Sequence, residues 1–122
     1  MTKLEYIWID GTESTPQLRS KTKVVEDFTH DIEGCPVWGF DGSSTNQAAG
    51  DNSDCILRPV FFTNDPIRKE GNFLVLCEVF ETSTKPHKSN TRHQLRKVLE
   101  NGGAKHEPSF GFEQEYTMFE GK

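Results

Sequence analysis

Residues 73–80 read FLVLCEVF (Phe73, Leu74, Val75, Leu76, Cys77, Glu78, Val79, Phe80), the most apolar run of the chain, interrupted only by Glu78. A short run this rich in branched and aromatic side chains suits a strand covered on both faces, and it is expected at the centre of a sheet. Leu4 to Asp10 forms a second strand, with Leu4, Tyr6 and Trp8 on one face and Ile7 and Ile9 on the other, so both faces are expected to be covered. Asp10-Gly11 turns the chain, and Leu18 to Val25, with Arg19, Lys21 and Lys23 alternating, returns as a hairpin. Val37 to Asp41 and Cys55 to Thr63 complete five strands, and Pro59 places the last of these at an edge or a bulge.

The connections are set by turn chemistry. Glu26 to Pro36 is polar and reads as loop, and Asn64-Asp65-Pro66 reverses the chain. Asn90 caps a helix that runs to about Glu100, with Leu95, Val98 and Leu99 facing the sheet and Asn101-Gly102-Gly103 stopping it. Five strands and one packed helix make an α+β domain spanning 1–103. Ala104 to Ser109 is a linker containing Pro108, and Phe110–Phe119 (FGFEQEYTMF) alternates as a strand. No later segment of the chain can pair with that strand, so residues 104–122 read as the opening of a larger unit. They are expected to be disordered, swapped onto another copy or added to a sheet edge.

Composition excludes several classes. The balance of 14 Lys and Arg against 19 Asp and Glu gives a net charge of −5, which argues against a nucleic-acid partner. The basic run Lys85, Lys88, Arg92, Arg96, Lys97 reads as a solvated face near the helix. Cys35, Cys55 and Cys77 form no CxxC pair, and the four histidines show no ligand spacing, so a reducing cytoplasm is the expected compartment. The longest apolar run is too short to span a bilayer, so no membrane partner is expected. The phosphate-loop, nucleophile-elbow, HExxH and EF-hand patterns are all missing.

Gly42 to Ser53 has no apolar side chain larger than alanine. A loop this long inside a small domain is uncommon unless it does a job, and nothing in its composition holds it down by packing. Asp41 beside Ser43, Ser44 and Thr45 suits either a cation or acid/base site or an Asx-turn in which its carboxylate caps nearby amides. Glu113 and Glu115, i and i+2 on a strand, would project from one face roughly 7 Å apart at the backbone. A hard divalent cation would relieve their repulsion, but by spacing alone alternating glutamates more often mark a solvent face.

YIWIDGT, LRSKT, WGFDGSSTNQA, NSD, DPIRK, LVLCEVF, NTR and FGFEQEYTMF, in this order along nearly the whole chain, resemble the eukaryotic-type (type II) glutamine synthetases. The resemblance implies an N-terminal β-grasp domain followed by the first strand of a catalytic domain. It implies an enzyme that joins ammonia to glutamate through γ-glutamyl phosphate, with ATP as substrate and Mg2+ or Mn2+ as cofactor. It further implies a homo-oligomer of two stacked rings, commonly decameric, in which this domain lends its loop to a neighbouring subunit's catalytic domain. Asp41 would bind ammonium and take its proton, Ser44 would line the same pocket, and Asp54, the acidic residue that ends the loop, would have a structural or an ammonium-site role. Glu113 would hold the metal that bridges the nucleotide phosphates, and Glu115 the metal nearer glutamate. The family's remaining ligands do not occur in these 122 residues, so the chain alone is expected to be inactive. The alternative is a free-standing β-grasp module that binds full-length subunits and modulates their assembly.

Overall fold

The computed structural model describes residues 1–121. Its elements are β1 (Thr2–Ile9), β2 (Leu18–Val25), β3 (Trp38–Asp41), β4 (Asp54–Asn64), β5 (Asn72–Phe80) and α1 (Thr91–Glu100). The strands form one mixed sheet in the order β2-β1-β5-β4-β3, with the apolar β5 in the middle as its sequence requires. The central pair β1–β5 is parallel, with Leu4 opposite Phe73 and Tyr6 opposite Val75. The flanking pairs are antiparallel, and β1–β2 is the expected hairpin, in register from Thr2 opposite Val25 to Ile9 opposite Leu18.

Period-two alternation sets one buried face. Leu4, Tyr6 and Trp8 of β1, Phe73, Val75, Cys77 and Val79 of β5, Cys55 and Leu57 of β4 and Phe40 of β3 form the core. Pro59 marks a bulge rather than a true edge position: the β4–β5 register slips between Pro59 and Phe61. The extra residue reverses the alternation of β4, so that odd-numbered Cys55 and Leu57 and then even-numbered Phe62 all reach the core while Phe61 is left exposed.

The layer over that face is a correction to the sequence reading. Residues 26–37 form an irregular loop, but Phe28 and Cys35 are buried, and Phe28 packs against Phe62 and Phe73 with ring centroids 5.6 and 4.9 Å apart. The Tyr6 hydroxyl donates to the Pro36 carbonyl at 2.6 Å and holds the loop's end. With the apolar face taken, α1 lies against the other face and buries no residue; Leu95 and Val98 are 52% and 61% exposed instead of packed on the sheet. Its attachment is polar. Glu78 of β5, fully buried, meets Arg96, Arg92 (3.7 Å) and His93 (3.6 Å), and the Asn90 side chain caps the His93 amide while donating to the Val79 carbonyl. The Ile7 and Ile9 face is accordingly only partly covered, Ile9 being 46% exposed.

A second correction concerns Phe110–Phe119. Residues 107–121 are exposed and carry no regular secondary structure. Alternation encodes two faces, but a strand also needs a neighbour for its amides and carbonyls, and no strand among the described residues pairs with this segment. Lys122 lies outside the described residues. No helix among them is long and apolar enough to cross a membrane.

Candidate functional site: the loop after β3

Four residues of β3 pair with the start of β4, and the ladder ends with Asp41 opposite Asp54. The chain then enters a single 3₁₀ turn, Gly42–Thr45, for which Asp41 is the cap: its Oδ1 accepts from the Ser43 amide at 2.9 Å and the Ser43 hydroxyl at 2.6 Å. The Asx-turn alternative is therefore the conformation adopted here. These two bonds, with a smaller contribution from Ser53, hold the Asp41 carboxyl below the usual carboxylate range. Ser44, exposed, donates to the Asp41 carbonyl at 2.8 Å. Gly42 is required by proximity, since a Cβ there would sit 2.6 Å from the Cys55 sulfur.

Contrary to its composition, the loop is tied down, chiefly by polar contacts, with Ala48 packed against the core. Gln47, 5% exposed, is the anchor. Its Oε1 accepts from Thr45 Oγ1 at 2.8 Å and from Trp8 Nε1 at 3.3 Å; its Nε2 donates to the Ile9 carbonyl and to Ser89 Oγ at 3.2 and 2.9 Å. His87 Nε2 lies 2.5 Å from the Gln47 carbonyl, while its Nδ1 accepts from the Ser89 amide at 3.1 Å. The neutral tautomer with the proton on Nε2 satisfies both contacts. Sequence reasoning misses Gln47 and His87; the one signal for them is a long polar side chain among small residues in NQAAG.

Two clefts flank the loop. Asp41 and Ser44 line the smaller, of about 350 Å3, together with Trp8, Arg19, Lys21 and Phe40. Asp54, exposed, lines the larger, of about 810 Å3, with Cys55, Glu81 and His87. Asp41 and Asp54 are thus neighbours in register but border different clefts. The cysteines offer no nucleophile, because burial pushes Cys35 up to about 11 and Cys77 up to about 12. Cys55 is also raised, by burial and then by Glu81, Asp54 and Asp41.

Glu113 and Glu115 stand apart in the exposed 107–121 segment. Among the described residues no three His, Cys, Asp or Glu side chains gather as a metal site. Two carboxylates fall short of the six or more oxygens a hard divalent cation takes, so these residues alone do not fit Mg2+ or Mn2+.

Residues 1–82 match the family model described as glutamine synthetase, beta-Grasp domain. The chain belongs to the glutamine synthetase family. It is 57% identical, over 97% of its length, to a glutamine synthetase of Streptomyces viridochromogenes, 50% identical over 93% to the chloroplastic glutamine synthetase of Chlamydomonas reinhardtii, and 48% identical over 93% to the glutamine synthetase of Gallus gallus. It covers 34%, 32% and 30% of those proteins, so it spans about a third of the length of the glutamine synthetases it matches.

Proposed function

We propose that this chain is the N-terminal portion of a glutamine synthetase that ligates ammonia to glutamate at the expense of ATP, and that it supplies the ammonium-binding loop. One observation carries the reading: in a chain of this family, an ionised carboxylate (Asp41) and an exposed hydroxyl (Ser44) line one cleft on a loop fixed from beneath. Ammonium has no lone pair and cannot attack an acyl phosphate until it loses a proton. Asp41 attracts the cation and accepts the proton whose loss frees the lone pair. The nitrogen then attacks the acyl carbon, the C–O bond to phosphate breaks, and a second N–H proton is shed to give the neutral amide. The Ser44 oxygen accepts an N–H and orients the nitrogen. Asp54, at the end of the same ladder, adds negative potential and has the lesser part.

The rest of the reaction is assigned to sequence outside these residues. Glu113 and Glu115 would contribute carboxylate oxygens to Mg2+ or Mn2+ sites completed by donors outside these residues, and the glutamate and ATP pockets would lie in the catalytic part. The cleft at Asp41 faces a neighbouring subunit in a homo-oligomeric double ring. Leu95 and Val98 of α1 and Phe110, Phe112 and Tyr116 of the 107–121 segment are exposed apolar side chains of the kind that such an assembly covers. The chain alone does not catalyse the ligation. A coupled assay tests this: glutamine forms with ATP, glutamate and ammonia when these residues are joined to a catalytic domain, and not with residues 1–122 alone. Activity of the short chain, or inactivity of the joined one, contradicts the proposal.

A further inference from the structure

The sheet order places β2 and β3 at opposite edges, and a flat five-stranded sheet would hold them about 19 Å apart. Yet Lys21 Nζ on β2 donates to the Gly39 carbonyl on β3 at 3.0 Å. The sheet has curled until one lysine side chain spans its two edges. Lys21 Nζ also sits 3.6 Å from the centroid of the Trp38 ring, with Lys23 Nζ at 4.6 Å.

The bonded carbonyl lies on the open side of β3. Gly42 donates to the Ser53 carbonyl at 2.7 Å, which turns the even-numbered residues of β3 inward to β4 and leaves Gly39 facing out. Lysines on edge strands usually stand in solvent as guards against edge pairing. Lys21 does something else: it bonds the opposite edge, two residues before Asp41, and its side chain lines the same cleft as Asp41 and Ser44. Partial burial, and then the neighbouring Lys23, hold its pKa below the ordinary lysine value.

We propose that Lys21 is a positioning residue for Asp41, clamping edge strand β2 to edge strand β3 and so fixing the strand end from which Asp41 and Ser44 project. β3 has four residues and one ladder partner, so a single bond to its free side is a large share of what holds it. The kinetic consequence rests on the function proposed above; the clamp itself does not.

Two measurements separate them. In residues 1–122, Lys21→Met keeps the length of the side chain but loses the ammonium that bonds Gly39 and lies over Trp38, and is expected to speed amide exchange at residues 41–45 about tenfold while β5 amides are unchanged. Lys21→Arg restores slow exchange. In the chain joined to a catalytic domain, Lys21→Met raises the ammonium KM about tenfold, with the KM values for glutamate and ATP within about twofold of wild type, and Lys21→Arg recovers most of the loss. Unchanged exchange overturns the proposal, as does an unchanged ammonium KM or an equal rise in all three. If the wild-type joined chain makes no glutamine, the functional reading falls and the exchange result alone decides the clamp. Should Lys21→Met fail to fold, Lys21→Leu, which also lacks a donor, carries the same comparison.

Discussion

Asp41 and Asp54 stand opposite one another in the last rung of the β3–β4 ladder, where the sheet gives way to the loop. Like charges opposite one another weaken a ladder, and a cation between or beside them relieves the repulsion. Asp54→Asn removes one charge and keeps the shape. It is expected to raise the urea midpoint of residues 1–122 slightly in low salt, with the gain vanishing in high salt. A fall in the midpoint would mean that Asp54 is held by a bond that outweighs the repulsion.

Gln47 is the point from which the loop is held. Gln47→Ala leaves the buried Trp8 Nε1 and Thr45 hydroxyl without their Gln47 acceptor and is expected to destabilise the chain by about 1–3 kcal/mol. Amide exchange at Gly42–Ala49 should rise more than that of the sheet. Uniform acceleration throughout the chain would show that the loop has no anchorage of its own.

Asp10 ties the β1–β2 turn together. Burial works against its charge, but bonds from the Gln17 and Thr12 amides and the Arg19 guanidinium prevail and bring it down to about 2. A carboxyl near ~3.9 in the unfolded chain and lower in the folded one stabilises fully above pH ~4 and loses that stability as pH falls toward ~2. Urea unfolding of wild type against Asp10→Asn should therefore show a gap at neutral pH that narrows between pH ~4 and ~2. A gap independent of pH would assign the effect to shape rather than charge.

The sheet is legible in the sequence because its signal is local. Alternation in Leu4–Trp8 and the apolar Phe73–Phe80 run specify strands and the centre of the sheet, and the Asn90 cap fixes where α1 begins. What covers the sheet is not legible, because burial of Phe28 and Cys35 depends on a loop without a period, and the apolar stripe of α1 resembles one that packs. Phe110–Phe119 shows the same limit, since alternation specifies faces but not a partner. In the site, Asp41, Ser44 and Asp54 are visible as a loop with acids at each end. Lys21 reads only as one of the alternating polar residues of a hairpin, because the curl that brings it to Gly39 is a property of the whole sheet.

The role of Asp41 is exposed by the ammonium dependence of glutamine formation in Asp41→Asn, measured in a chain joined to its catalytic domain. The neutral amide keeps the turn but neither attracts the cation nor takes its proton. The expected outcome is an ammonium KM raised at least about tenfold and a kcat lowered on the order of 10²-fold or more, with glutamate and ATP binding preserved. If the ammonium KM and kcat both stay within about twofold of wild type, Asp41 neither binds ammonium nor takes its proton.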